Sequence, residues 1–202
     1  MNIPYNPYDY IKEKITFFIG RNILGIKSLE EVTNTGSGDT IFGYLGLITI
    51  LLFAIIATIL ILSFIKKDKR IKKTLTWVHT YSRYYLGLFM LVYGMAKLLE
   101  NGQFAELSVF NLDKPLGDKS PMGLLWTFMG YSKTYTYFTG LVEVLGGSLL
   151  FFRKTKVLGG LICFAAMTNV ALLNFCYDVP VKSFSIHLLL ISAFIISPYT
   201  IP

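Results

Sequence analysis

Residues 41–65, IFGYLGLITILLFAIIATILILSFI, decide how this chain is read, because 25 consecutive residues carry no charge. A helix needs about 20 mostly apolar residues to cross a bilayer, so this run is expected to be a transmembrane span. It stops at KKDKRIKK, residues 66–73, which holds six Lys or Arg. Such a block marks a loop on the cytoplasmic side.

Working outward, four more spans are expected. Residues 80–99 form one; Arg83 and Lys97 are close enough that a full crossing must carry at least one of them. Residues 134–152 carry Glu143 near their middle, residues 157–177 carry no charge, and residues 183–199 contain His187. The predicted fold is therefore all-α, a polytopic membrane bundle of five transmembrane helices. A second basic block, RKTK at 153–156, joins the first in fixing the orientation, with the N-terminus outside and the C-terminus in the cytoplasm. The loop over residues 100–133, with four acidic and three basic residues, is then external, as is the turn YDVPVK at 177–182.

This divides the chain into an extracytoplasmic segment, 1–40, the first span, 41–65, and a four-helix membrane domain, 80–202. Ile11, Ile15, Phe18 and Ile19 of the first segment fall on one face of a short interfacial helix. The start, MNIPYNPYDY, has no basic stretch followed by an apolar one, so insertion is expected to rely on the first span. PMGLLWTFMGY, residues 121–131, is apolar but too short to cross. It is expected to be re-entrant or interfacial, anchored at the headgroups by Trp126 and Tyr131, and to cover the bundle mouth with Leu124, Leu125, Trp126, Phe128 and Met129 against lipid or helices 2 to 5. There is no internal repeat or low-complexity linker, and the sequence reads as one domain.

Hydrophobic residues make up 53% of the chain and charged residues 15%, too apolar a balance for a soluble domain of this size. The net charge of +7 sits in short blocks between apolar runs, so it addresses a bilayer and not nucleic acid. Cys163 and Cys176 lie in one helical run, roughly 20 Å apart, too far to pair with each other. Neither they nor the histidines have metal-ligand spacing. No nucleotide loop, haem-attachment motif or Ser/His/Asp set is visible.

Ionisable groups inside a span are costly, and they mark either function or a polar network. Lys97, Asn174, Asp178, Lys182 and His187 fall near the external face, while Glu143 and Asn169 lie deeper. Spans two to five thus each bring polar groups to the external half; the first brings none and is expected to pack at the periphery. Several of these residues have a plainer use. Arg83, near the cytoplasmic end, is expected to snorkel to lipid phosphates, and Lys97 has the same option outward. Asp178, before Val179 and Pro180, fits an N-cap of the last helix. His187 fits either a neutral histidine bonded across helices or a proton carrier. Glu143 cannot snorkel from mid-bilayer, so it is protonated or paired, with Asn169 the first candidate partner and Lys97 the second. Gly140, Glu143 and Gly147 share a face, as do Gly87, Gly94 and Lys97, and these faces are expected to point inward.

From Tyr81 onward the chain resembles the DoxX-like membrane proteins. The resemblance is to a Bacteroidetes-type branch similar to the small DoxD subunit of thiosulfate:quinone oxidoreductase. It is carried by YSRYYLGLFMLVYGMAKLL (81–99), SPMGLLWTFMGYS (120–132), FTGLVEVLGGSLLFFRKT (138–155) and LNFCYDVPVKSFSIHLLL (173–190), with TGSGDT (35–40) ahead of the first span. It implies a DoxX-like four-helix core made of helices 2 to 5 and a redox or small-molecule association. Lys97, Glu143, Asn174, Asp178, Lys182 and His187 match its pattern. Glu143, Lys97 and His187 become the catalytic candidates, and Asn174, Asp178 and Lys182, joined by Asn169 on the ground of its depth, a polar network around them. Members of this branch are longer at both ends, so the resemblance also implies a shortened member, or one completed by another membrane or periplasmic protein. Redox chemistry here needs a borrowed, non-covalent carrier such as a quinone, with Cys176 the thiol nearest the external cluster. Three readings stay open. The chain is a subunit of a quinone- or sulfur-linked redox system in the bacterial inner membrane, a non-catalytic subunit that docks a partner, or a carrier of small solutes or protons. Catalysis by the chain itself is left undecided.

Overall fold

The computed structural model describes residues 7–26, 39–64, 68–99, 103–104 and 112–200. Residues 35–38 of the TGSGDT stretch, residues 66–67 of the first basic block and most of residues 100–111 lie outside the described residues. Those described form seven α-helices and no strand. They are α1 (Pro7–Phe18), α2 (Ile41–Phe64), α3 (Asp68–Leu98), α4 (Pro121–Tyr131), α5 (Lys133–Leu150), α6 (Lys156–Cys176) and α7 (Lys182–Thr200). Two of them are long and apolar enough to cross a membrane, at Ile41–Ser63 and Lys156–Cys176, and Lys182–Pro198 is apolar but shorter. α3 and α5, which carry Arg83, Lys97 and Glu143, do not meet that measure.

Contacts divide the chain into two compact units, Met1–Ile71 and Lys72–Pro202. In the first, α1 runs on through a π-helical turn, Ile19–Ile23. Thr16 and Gly20, one turn apart, are its buried positions, and Phe17 meets Phe42 of α2 with ring centroids 5.1 Å apart. Ile11 and Phe18 are left outward. Thr40 caps α2, its Oγ1 accepting from Gly43 N at 3.0 Å. Leu45 and Thr49 are buried, whereas the large residues further along α2 stand exposed.

The second unit is built on α3 from Lys72 onward. The basic block was expected to be a loop, but its residues 68–73 are the opening turns of this 31-residue helix. Lys and Arg are good helix formers and no Gly or Pro interrupts them, so the helix extends to roughly 46 Å, longer than a bilayer's hydrocarbon core.

Glycines let the helices close up. A Cβ on Gly94 would lie 2.7 Å from Gly140 O, and one on Gly147 would lie 2.9 Å from Gly87 O. α3 and α5 therefore run antiparallel with their backbones nearly touching. Gly159 makes the same approach to Gly146 O, joining α6 to α5. α7 closes the ring: His79 Nε2 donates to the Ile195 carbonyl at 3.1 Å, and Phe89 meets Phe184 edge-on at 5.2 Å. Leu86, Met90, Leu150, Cys163, Met167, Leu188 and Ile195 fill the centre.

At the Lys97 end, α4 lies over the bundle. Ser120 caps it, accepting from Gly123 N at 3.1 Å, with Pro121 in the first turn. Its eleven residues are too few to span. Instead Leu125 and Met129 bury themselves against Val179, Leu173 and Tyr177 at the α6–α7 turn. Thr136 Oγ1 donates to Met129 O at 2.7 Å and ties α4 to α5.

Candidate small-molecule site

The α3–α5 contact determines what Lys97 does. A Cβ built on Gly140 would lie 3.0 Å from Lys97 Cβ, so the lysine emerges against α5. Glu143 follows three residues later on the same face. Side chains on a helix lean toward its N-terminus, and for Lys97 that direction runs back into the bundle. Its Nζ donates to Glu143 Oε1 at 2.5 Å. Both side chains are sealed, with relative exposures of 8% and 4%. Lys97 is thus not turned out to the headgroups, and Glu143 takes Lys97 and not Asn169 as its partner. Depths compared by residue count alone miss the downward reach of a lysine.

Two cavities, of about 180 Å³ and 240 Å³, adjoin this pair. They share Lys97, Gln103, Trp126, Glu143, Val170 and Asn174 as lining, so they adjoin as two lobes around these side chains. Tyr135 and Phe138 wall the first, and Tyr93 and Phe184 the second. Buried polar atoms normally have partners. Glu143 Oε2 and Asn174 Nδ2 are buried and have none, and both residues line both lobes.

The other residues singled out from sequence are spread more widely. Asn169 lines the first lobe. Asp178 is not the N-cap of α7, which begins four residues later. It sits just past the end of α6 with a positive φ of 51°, and its exposed carboxylate accepts from Lys182 Nζ at 2.5 Å. Lys182 belongs to that surface pair and does not line the lobes. His187 is exposed on the outside of the unit, its ring edge-on to Tyr85 at 5.9 Å. It is absent from the lining of the two lobes around Lys97 and Glu143. Arg83 does not reach outward. It is buried, its guanidinium carbon 4.9 Å from the centre of the Tyr84 ring.

Trp126, read from sequence as a headgroup anchor, packs edge-on to Phe104 at 5.2 Å and lines both lobes. Its position one residue after Leu125 in an apolar 11-residue helix was the available signal. Gln103 gave none. Among the described residues no three His, Cys, Asp or Glu come together as a metal site.

Over 103 residues the chain is 35% identical to the uncharacterized protein YwoB of Bacillus subtilis (strain 168), a match covering 51% of this chain and 64% of that protein. The chain thus spans less than two thirds of that relative's length. No family model matches, and no solved structure does.

Proposed function

We propose that the chain is a five-span protein of the bacterial cytoplasmic membrane whose α3, α5, α6 and α7 bundle binds a small molecule at its external end. In this reading it serves as a DoxX-like subunit of a quinone- or sulfur-linked redox system. The observation that carries the reading is an inverted distribution of polarity. Arg83, Lys97 and Glu143 are buried inside the unit, while Leu88, Val92, Leu141, Leu145, Leu161, Leu172 and Leu190 stand exposed around it. A large apolar exterior marks a membrane or partner surface, and charges kept inside a membrane bundle mark a site or a relay. α3 and α5 fall short of a span by composition, their internal charges adding to Tyr, Thr and Gly in lowering the hydropathy, and the ion pair offsets the two charges that lie deepest.

A buried ion pair is a weak source of stability, since desolvation consumes most of its attraction. Its presence between two lined cavities is better accounted for by ligand binding. The aromatic walls and the few converging polar groups have the make-up of a small-molecule site. The test is purification of the full chain from native membranes, with solvent extraction and identification of whatever accompanies it. A stoichiometric lipophilic carrier, reduced in amount by Val170→Phe at the shared wall, supports the reading. A stoichiometric partner protein with no small molecule would favour a docking subunit instead.

A further inference from the structure

We propose that the two-lobed cavity selects an uncharged aromatic molecule bearing a hydroxyl, a phenol or hydroquinone, which donates to Glu143 Oε2 and accepts from Asn174 Nδ2. The inference rests on the reading of the cavity as a small-molecule site and adds the chemical class of its occupant.

Three observations define that class. Lys97 and Glu143 are the charged residues in the lining of both lobes, and they neutralise each other at 2.5 Å. A charged ligand would enter without a counter-charge, at a heavy desolvation cost. Next, of the three buried side-chain atoms without partners among the described residues, Arg83 Nε lies outside the lining, and the two that belong to lining residues are of opposite kind. Glu143 Oε2 can only accept from a ligand, and Asn174 Nδ2 can only donate. The residues themselves are 3% and 6% exposed, so these atoms cannot turn to bulk water. A hydroxyl serves both at once, because it donates its proton while its oxygen accepts. A quinone, an ether or an ester has no proton to offer Glu143, so of a quinone and its hydroquinone only the second fits. Finally, the walls are aromatic, with Trp126 common to both lobes. Each lobe also exceeds the cavity of about 150 Å³ that accepts a benzene ring.

Fluorine NMR on the detergent-solubilised full chain tests this with 4-fluorophenol, 4-fluoroanisole and 4-fluorobenzoate. The phenol should bind at least about tenfold more tightly than the anisole, the size expected for a hydrogen bond to a charged acceptor. The benzoate should bind no better than the anisole. Asn174→Leu should weaken the phenol by about fivefold or more, and by more than it weakens the anisole, whose oxygen accepts without being polarised by donation to Glu143. This variant strands no charge, and it remains interpretable if Glu143→Leu fails to fold. Equal binding of phenol and anisole, with both abolished by Val170→Phe, would overturn the hydroxyl class and leave the small-molecule reading standing. Tighter binding of the benzoate would overturn the claim of neutrality. If no probe binds, the class is overturned and the two polar atoms are served by water, whatever the extraction from native membranes yields.

Discussion

Lys97 Nζ reaches Glu143 Oε1 because the two helices that carry them meet at Gly94 and Gly140, where a Cβ on either glycine would collide with the other's carbonyl oxygen. The ion pair and the backbone contact form one arrangement. Side chains at either glycine would separate α3 from α5, and the ammonium would lose its reach. The pair in turn holds two matched charges together inside the unit, where either alone would be buried without a counter-charge.

Substitution at one partner should therefore be unequal to substitution at the other. Lys97→Met leaves Glu143 sealed without its cation and should cost about 3–5 kcal/mol. Glu143→Leu leaves a lysine in the last turn of α3, where a long side chain has a route to the membrane surface, so the loss should be smaller. Lys97→Met with Glu143→Leu should recover most of the stability, since apolar replacement of a buried pair is often neutral. Thermal unfolding in detergent reads all three. A double variant no better than Lys97→Met would show that the pair is not what holds the site together.

Gly94→Ala should be destabilising even though alanine is the better helix former. Its Cβ would sit 2.7 Å from Gly140 O, a backbone atom that cannot swing aside. Overpacking of this kind costs about 1–3 kcal/mol. Gly117→Ala is the control, since nothing lies within 4 Å of the added carbon. Melting temperatures that fall equally for both variants, or for neither, would contradict the close contact.

The apolar run of residues 41–65 and the inward glycine faces were legible in the sequence, because run length and three-to-four spacing are composition-level signals. The start of α3 was not. Basic residues mark a membrane boundary and propagate a helix equally well, so the charge block hid a helix inside an expected loop. The pairing of Glu143 was blurred because depth counted along the backbone ignores the length of a lysine. The outward place of His187 had a signal in the sequence. Ser185, Leu188, Ser192 and Ile195 are buried at spacings of three and four residues, and residue 187 lies off that stripe. The apolar run of residues 121–131 pointed to a segment covering the bundle mouth, as Leu125 and Met129 do, but the cavities beneath it were out of reach, since their size and lining depend on long-range packing that no local pattern records.

The five-span reading fixes which ends are outside the cell. Single cysteines at Asp118 and Lys72, in a chain with Cys176 replaced by Ser, should label differently with a membrane-impermeant maleimide. Cys163 is fully buried and should stay silent. Position 118 should react on intact cells, and position 72 only after permeabilisation, as the basic blocks require. Labelling at 72 from outside would invert the topology and put the Lys97–Glu143 site on the cytoplasmic side.

The α6–α7 turn should be tuned by the residue at 178. α6 ends in a Schellman arrangement, with Val179 N donating to Asn174 O at 2.9 Å and Asp178 in the left-handed conformation at φ 51°. Val179, buried at 4%, packs near Leu173, the apolar contact that accompanies this motif. Glycine is the favoured residue at that position and asparagine is tolerated, whereas a Cβ without a local hydrogen-bonding group raises the cost. The Asp178–Lys182 pair offsets little, because the carboxylate is 78% exposed and such pairs are worth about 0–1 kcal/mol. Asp178→Gly should thus leave stability unchanged or raise it by up to about 1 kcal/mol. Asp178→Asn should be near neutral, and Asp178→Ala should be lower than Asp178→Gly by about 1 kcal/mol. Val179 also lines the larger lobe, so a variant that distorts the turn should weaken probe binding along with stability. Asp178→Ala melting at or above Asp178→Gly would mean that residue 178 does not hold the left-handed conformation on which this end of the cavity is built.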